Sequence, residues 1–233
     1  MNRQAETNID LRNLNIRLFR NLPPDYLQAL SGLLSRKTFP AGVTLMTAEQ
    51  VGEAVYFILS GTVKVHVEQE DGSDVIMAIL GPGEIVGEMS VLGQTIRSAS
   101  VVTIENCVML WMDCAAFQSC LLKSPELAYN LACTLAERLR HANEKIETLA
   151  TQSVESRVAR QLVSFAEQYG RPQPDGGVHL SIRLTQGDIA SLIGASREHI
   201  NRVMVSYKER DYLSIDSNYH ITIHNLQALA RRC

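Results

Sequence analysis

The chain has 233 residues, of which 45 % are hydrophobic and 20 % charged, and its formal net charge is −3. This composition is ordinary for a folded globular protein with a sizeable core and argues against a disordered chain. No apolar run reaches the length of about 18 residues that a membrane span needs, and the N-terminus is too polar for a signal peptide. We therefore expect a cytoplasmic protein with no membrane contact.

The charge is unevenly distributed along the chain. Residues 1–152 carry 12 basic and 17 acidic side chains, whereas residues 153–233 carry 10 and 8. The mildly basic last part is the one that favours an anionic partner.

The cysteines are odd in number and lack the C-x-x-C spacing of zinc and redox sites, so we interpret them as reduced packing residues. They are Cys107, Cys114, Cys120, Cys133 and Cys233.

Residues 41–113 read as short strands separated by glycines, which predicts an antiparallel sandwich or roll. The alternation is clearest in "TVKVHV", where Val63, Val65 and Val67 share one face. His66 falls on the opposite face, where we expect it to meet water. A metal or haem role for this histidine is therefore not predicted.

A long helix is predicted to begin at Ser124-Pro125 and to run to residue 152 without a glycine. Its small and apolar residues are spaced alternately by four and three, which is a heptad pattern. Those residues are Ala128, Ala132, Leu135, Leu139, Ala142, Ile146 and Leu149. One more core helix remains an alternative, but the narrow apolar stripe favours a homodimer through the 124–152 helix.

A further helix is predicted after Ser153, which can cap it, and Gly170 ends it. The following text, "RLTQGDIASLIGASREHINRVMVSYKERDYL", is typical of a helix-turn-helix. Thr185 and Asp188 form a capping box, Gly194 provides the turn, and Ser196 caps the second helix.

The second helix of this motif presents a polar side suited to reading the major groove of DNA. That side carries Arg197, Glu198, Asn201 and Arg202. Arginine can donate to both acceptors of guanine, and glutamate can accept from cytosine. The text "YLSIDSNYHITIH" then predicts a β-hairpin wing. The alternative, a solvated amphipathic helix pair, does not account for the caps, the turn glycine and the wing together.

The stretch "GEIVGEMSVLGQTIRSAS" places a carboxylate and a guanidinium nine residues apart in an apolar segment. Arg97 with Ser98 beside it suits a phosphate, and Glu88 suits a sugar hydroxyl. The pair therefore predicts a ligand that bears both groups, such as a cyclic nucleotide. A structural ion pair between Glu88 and Arg97 is the alternative.

Two motifs carry a resemblance to a known family. "GEMSVLGQTIRSA" resembles the phosphate-binding cassette of cyclic-nucleotide-binding domains, and "SREHINR" resembles the recognition helix of the bacterial CRP/FNR family of transcription regulators. The order of roll, long helix and winged helix extends the resemblance over nearly the whole chain. It implies an α+β fold with a cyclic-nucleotide-binding β-roll (a jelly roll) at 1–123, a dimerisation helix at 124–152 and a winged helix-turn-helix DNA-binding domain at 153–233.

The resemblance also implies roles for individual residues. The predicted ligand-binding set is Gly87, Glu88, Met89, Ser90, Arg97, Ser98 and Asn143. The predicted DNA-binding set is Thr185, Ser196, Arg197, Glu198, Asn201 and Arg202. Cyclic AMP is the implied effector, and double-stranded DNA and RNA polymerase are the implied partners. The implied target is a palindrome with TGTGA-like half-sites about one helical turn apart.

One position departs from the family pattern. The family's cyclic AMP receptor offers a Thr-Ser pair from the long helix to adenine, and here the aligned pair is Ala142-Asn143. Asn143 can donate and accept, whereas Ala142 has no hydroxyl. A family member that works without cyclic AMP, or that answers to another small effector, is therefore the second hypothesis.

Several other functions fit the sequence less well than a DNA-binding regulator does. An iron-sulfur sensor needs cysteines near the N-terminus, and the first here is Cys107. We expect no metal, haem or iron-sulfur cluster. A regulatory subunit that binds a protein through its C-terminal part conflicts with the reader helix, and no nucleophile-base pair or Walker-type loop indicates an enzyme.

Overall fold

The structure is a computed structural model that describes residues 9–70, 72, 74–93 and 96–233. Its contacts divide the chain into two compact units. The first unit combines the described residues up to Val63 with Pro82–Glu137, and the second combines Lys64–Gly81 with Arg138–Cys233. The domain boundaries expected from the sequence, at 123/124 and 152/153, stay predictions.

The described residues of the first unit form two 3-10 helices, six strands, and α-helices before, between and after the strands. The 3-10 helices cover Leu11–Asn13 and Arg17–Phe19, and the α-helices are α1 (Pro24–Ser31), α2 (Glu88–Gly93) and α3 (Cys114–Lys123). The strands are β1 (Ser35–Phe39), β2 (Thr44–Met46), β3 (Ala54–Ser60), β6 (Ile85–Val86), β7 (Ser100–Thr103) and β8 (Cys107–Asp113).

Antiparallel pairing organises these strands. Four of them form a sheet in the order β1-β8-β3-β6, and β2 pairs with β7. The sheet covers an aromatic core, in which the Phe57 ring lies 4.9 Å from that of Phe19 and 6.1 Å from that of Phe117. In the first half of β3 the fully buried Val55 and Phe57 alternate with the half-buried Ala54 and Tyr56, so even this short strand holds one face against the core.

The long helix α4 spans Pro125–Thr151 and passes through both units. Ser124 caps it, because its hydroxyl accepts a hydrogen bond from the Leu127 backbone N–H at 3.2 Å. Leu127 and Leu131 belong to the core of the first unit. Further along, Leu139 and Ile146 are about two-thirds exposed, so the second half of the heptad seam has an unburied apolar stripe.

The second unit begins with a hairpin of β4 (Val63–Glu68) and β5 (Asp74–Leu80). Asp74 accepts hydrogen bonds from Lys64 at 2.6 Å and pairs with His66 at 2.7 Å. His66 was expected to face water, but its side chain is only 16 % exposed. Lys64 and His66 do share a face, since both contact Asp74, but the period-two pattern could not show that the neighbouring strand places a carboxylate beside them.

The winged helix-turn-helix completes the second unit. Its helices are α5 (Val154–Tyr169), α6 (Gln186–Ile193), α7 (Arg197–Glu209) and α8 (Leu226–Ala230). Its strands, β9 (Gly170–Pro172), β10 (Val178–Arg183), β11 (Leu213–Ile215) and β12 (His220–Ile223), form a sheet in the order β11-β12-β10-β9.

Several elements of the second unit pack together. The β4–β5 hairpin lies against this module, since a Cβ added to Gly81 would come within 2.4 Å of the Ile182 side chain. Helix α4 also contacts the hairpin, because Lys145 donates to the Ile76 carbonyl at 3.2 Å, and burial lowers the pKa of Lys145. None of the helices in the described residues has the length and apolar character that a membrane crossing requires.

Candidate nucleotide pocket and DNA-reading helix

The backbone at Gly87 sets the geometry of the candidate nucleotide pocket. Gly87 follows β6 with a φ of 91°, a region that favours glycine, and α2 begins at the next residue. A Cβ at this position would lie 2.6 Å from Met46 Cε and 2.7 Å from Arg97 Nη1. Only glycine therefore lets the chain pass this close to the arginine.

Arg97 is the centre of the pocket and is only 7 % exposed. Its Nη1 donates to the Gly87 carbonyl at 2.7 Å and to Ser90 Oγ at 2.6 Å, and its Nη2 donates to the Ala54 carbonyl at 2.5 Å. The backbone N–H of Arg97 donates to the Gln50 carbonyl at 2.9 Å. These contacts hold the guanidinium against three neutral acceptors, two backbone carbonyls and a serine hydroxyl.

This arrangement can bind an anion. A guanidinium held by carbonyl and hydroxyl oxygens keeps its full positive charge, and its burial weakens solvent screening of that charge. Burial and the charge of Arg97 also act on the pKa of the nearby Cys114 thiol, in opposite directions. Burial raises the pKa of Cys114 and outweighs the opposing effect of Arg97, so the thiol is not a counterion for the guanidinium.

The remaining predicted ligand residues differ in their exposure. Glu88 and Ser90 are buried, whereas Met89 is 57 % exposed and Ser98 is also exposed. The hydrogen bonds of Arg97 bring it into direct contact with Gly87 and Ser90. Asn143 belongs to the other unit, where it is exposed on α4.

Two residues of this site were not identified from the sequence. Ala54 supplies a carbonyl to Arg97 from 43 residues away. Gly52 allows close packing, since a Cβ there would lie 2.7 Å from Arg97 Cζ and 2.5 Å from Ser90 Oγ. A glycine two residues before a strand was the available signal for Gly52, and nothing in the sequence marks a backbone carbonyl.

The helix-turn-helix has the capping that the sequence indicates. The Thr185 hydroxyl accepts from the Asp188 N–H at 3.1 Å, and the Asp188 carboxylate accepts from the Thr185 N–H at 2.9 Å. Gly194 ends α6 in the left-handed region with a φ of 64°. The Ser196 hydroxyl caps α7 by accepting from the His199 N–H at 3.3 Å.

Helix α7 separates an exposed polar face from a buried apolar one. The exposed face carries Arg197, Glu198, Asn201 and Arg202. On the opposite face, Ile200, Val203 and Met204 are each at most 4 % exposed. The predicted inward and outward residues of this helix are therefore placed as the 3.6-residue period requires.

Helix α6 supports the reader face through two residues that the sequence did not single out. Gln186 donates to Asn201 Oδ1 at 3.1 Å. Gly187 leaves room for the guanidinium of Arg197, whose Nε would lie 3.3 Å from a Cβ at that glycine. Both follow Thr185 directly, so the first turn of α6 positions two members of the predicted DNA-binding set.

Family models match both halves of the chain. Residues 36–124 match the cyclic nucleotide-binding domain, and residues 156–232 match the Crp-like helix-turn-helix domain. The fold and the two sites thus define a DNA-binding transcription regulator that contains a cyclic nucleotide-binding domain.

Similarity to individual relatives shows which family the chain belongs to. The chain is 33 % identical over 215 residues to the CRP-like cAMP-activated global transcriptional regulator of Mycobacterium tuberculosis, covering 92 % of this chain and 95 % of the relative. The crystal structure of Thermus thermophilus catabolite activator protein is 28 % identical and covers 93 % of this chain and 97 % of its own, with a TM-score of 0.52. The chain belongs to the CRP/FNR family of transcription regulators.

Family membership confirms the predicted fold class, a β-roll combined with a C-terminal winged helix-turn-helix. Because the family consists of transcription regulators, the prediction that the protein is not an enzyme is also confirmed. The same fold occurs in a solved structure of lower sequence identity. The c-di-GMP responsive global regulator CLP of Xanthomonas campestris is 21 % identical, covers 87 % of this chain and 99 % of its own, and has a TM-score of 0.67.

Proposed function

We propose that this chain is a homodimeric, cytoplasmic regulator that cyclic AMP switches to a DNA-competent state. In this proposal the dimer binds palindromic sites with TGTGA-like half-sites and acts together with RNA polymerase. The single observation that carries the effector assignment is the buried Arg97 guanidinium, held by Gly87, Ser90 and Ala54.

Arg97 and Ser98 would hold the cyclic phosphate, and Glu88 would hold the ribose hydroxyl. Gly87 would allow the sugar to approach the backbone, with Met89 and Ser90 completing this side of the pocket. Asn143 on α4 would contact the purine edge. The position of the arginine favours this role, because its desolvation is already achieved in the fold. A bound phosphate would replace some of the carbonyl and hydroxyl acceptors that the guanidinium has now with charged oxygens.

The DNA assignment rests on the exposed face of α7. Arg197, Glu198 and Arg202 would read base edges, while Asn201 completes the face. Thr185 and Ser196, at the N-termini of the two helices, would lie beside the phosphate backbone. The Ser196 hydroxyl would donate to a phosphate oxygen, whereas both donors of Thr185 are used by Asp188. Each good bidentate base contact contributes about 1–3 kcal/mol of discrimination.

The dimer assignment rests on the seam of α4. Leu139 and Ile146 are exposed although they occupy heptad positions, and burial of such residues against a partner helix is the driving force of a coiled coil. The end of the seam lies near the reader, since a Cβ at Gly194 would be 3.3 Å from Leu149 Cδ2. This contact supports a coupling between dimer packing and the helix-turn-helix.

A calorimetric titration of the full chain with cyclic AMP tests the effector assignment. We expect saturable binding of about one nucleotide per subunit. Wild-type protein that binds no cyclic AMP, yet retards palindromic DNA, would contradict the effector and leave the DNA-binding assignment in place.

The second candidate is a family member that answers to a different effector or to none. Two observations favour it. Ala142 lacks the hydroxyl that the family's cyclic AMP receptor offers to the base, and the same fold occurs in a regulator described as c-di-GMP responsive. A titration with c-di-GMP and other cyclic nucleotides under the same conditions distinguishes the two candidates.

A further inference from the structure

The C-terminal end of the reader helix carries a cluster of arginines that neither candidate site uses. Arg210 caps the end of α7, and Arg231 and Arg232 follow α8. Tyr212, Ala228, Arg231 and Arg232 line a surface depression of about 360 Å³. We define Arg210, Tyr212, Arg231 and Arg232 as the C-terminal arginine cluster.

The cluster is built on a fixed aromatic support. The Arg232 guanidinium lies 5.4 Å from the ring centre of Tyr212 and 6.0 Å from that of Tyr207. Tyr207 is 2 % exposed, and its hydroxyl donates to the Glu155 carbonyl at 3.0 Å. Stacking of this kind restricts the guanidinium to one orientation and reduces the entropy that a bound ligand would have to remove.

The backbone of Tyr212 is held on both sides. Its N–H donates to the Tyr207 carbonyl at 2.9 Å, and its carbonyl accepts from the His224 N–H at 2.9 Å. Asn225 caps α8, because its side-chain oxygen accepts from the Ala228 N–H at 2.9 Å. Hydrogen-bonded elements therefore border the depression on the sides of Tyr212 and Ala228.

Among the residues that the structure describes, no carboxylate forms an ion pair with the arginines of this cluster, Arg210, Arg231 and Arg232. Arg232 and Arg210 instead donate hydrogen bonds to the Tyr212 phenol, which lowers the pKa of Tyr212. Two of the three guanidiniums thus share one weak acceptor.

From this geometry we propose that the C-terminal arginine cluster is a phosphate-binding site, separate from the pocket around Arg97 and from the base-reading face of α7. A phosphate offers more acceptor oxygens than a carboxylate, so it can accept from several guanidinium forks at once. The phosphate group could belong to free phosphate or a small phosphorylated ligand, or to the DNA backbone. The inference does not depend on cyclic AMP.

The first arm of the test uses inorganic phosphate as the probe. Full-length protein is titrated with phosphate at constant ionic strength, and binding is followed by ³¹P NMR and by thermal unfolding. The titration is run in the Arg97→Leu background, so that the nucleotide pocket does not contribute. Arg231→Gln with Arg232→Gln should raise the apparent Kd at least tenfold. Arg171→Gln, an exposed arginine of the same unit, is the matched control and should leave it unchanged.

The second arm measures DNA affinity against salt concentration with the same double variant in the otherwise wild-type chain. Each lost phosphate contact reduces the slope of log K against log salt by about 0.9. A decrease of about 1.8 in the double variant, with no decrease for Arg171→Gln, identifies the DNA backbone as the source. Phosphate binding with an unchanged slope identifies a free phosphorylated ligand.

Either positive arm supports the site, and failure of both overturns it. If the wild-type chain bound no DNA at all, the proposed function would be contradicted. The phosphate titration would then be the only test of the C-terminal arginine cluster. Tyr212→Phe keeps the ring that stacks on Arg232 and removes the phenol oxygen. It should therefore retain phosphate binding, and equal loss in this variant and in the double arginine variant would show a packing defect and contradict the proposal.

Discussion

Replacing Arg97 by leucine is the perturbation that most sharply tests the nucleotide pocket. The guanidinium is 7 % exposed, and its fork would make two charge-assisted hydrogen bonds to a cyclic phosphate. Hydrogen bonds to charged groups contribute about 1.5–3 kcal/mol each. Loss of both therefore removes about 3 kcal/mol or more, which corresponds to at least about a hundredfold rise in Kd.

The same substitution also affects folding, and the experiment has to separate the two effects. Removal of the guanidinium takes its donor away from the Ala54 carbonyl and leaves the Gly87 carbonyl with the Ser90 hydroxyl alone, and an unsatisfied buried group costs about 1–3 kcal/mol. Arg97→Lys is the matched variant, because it keeps the charge and loses the fork. We expect an intermediate affinity for it.

The assay is calorimetric titration of cyclic AMP into wild-type, Arg97→Leu and Arg97→Lys protein, with circular dichroism to establish that each variant is folded. We expect the order wild type, Arg97→Lys, Arg97→Leu in affinity. A folded Arg97→Leu protein that bound cyclic AMP as tightly as the wild type would refute the assignment of the phosphate to this residue.

Further predictions concern the other sites. Ile146→Asn places an amide in the proposed seam and should shift sedimentation velocity profiles from dimer to monomer; an unchanged dimer would place the interface elsewhere. Arg202→Ala should weaken binding to the cognate palindrome by about 1–3 kcal/mol and relax selectivity at one base pair, whereas an equal loss on random DNA would indicate a phosphate contact only. Thr185→Ala removes the cap of α6 and should lower the free energy of unfolding in urea by about 1 kcal/mol. Partial burial works to raise the pKa of Asp74, but hydrogen bonds from Lys64 and His66 outweigh it and lower that pKa. Its stabilising contribution should therefore be present at neutral pH and be lost as pH falls below about 4, so Asp74→Asn should destabilise the protein by about 1 kcal/mol at pH 7 and much less at pH 3.

The local structure of the C-terminal half could be predicted well from sequence because its signals are short-range. The capping box of Thr185 and Asp188, the turn at Gly194 and the cap at Ser196 each involve residues within four positions of one another. Helix periodicity then places Ile200 inside and Arg202 outside. Such features need no knowledge of the tertiary fold.

The nucleotide pocket could be predicted only in part. The motif around Gly87 and Arg97 is local, so the sequence predicts that these residues lie together, and Arg97 Nη1 does donate to the Gly87 carbonyl. The contacts of Arg97 with Ala54 and the close packing of Gly52 depend on a strand more than 40 residues away. Pairing between distant strands is decided by the whole core, and a backbone carbonyl leaves no trace in the residue pattern.

His66 also shows that contacts with a neighbouring strand could not be predicted. Its position in an alternating strand assigns it to one face, and the face was expected to be solvated. The carboxylate of Asp74 on the neighbouring strand instead pairs with it at 2.7 Å. Alternation defines which residues share a face, whereas the exposure of that face depends on what packs over it.

The most direct test of the central claim is the affinity of the full-length protein for a fluorescein-labelled palindrome of TGTGA-like half-sites, measured by anisotropy with and without saturating cyclic AMP. Allosteric coupling of about 1–3 kcal/mol predicts that the nucleotide tightens DNA binding by about 5–150-fold. This gain should disappear in Arg97→Leu. Equal affinity with and without cyclic AMP in the wild-type protein would contradict gating by this nucleotide.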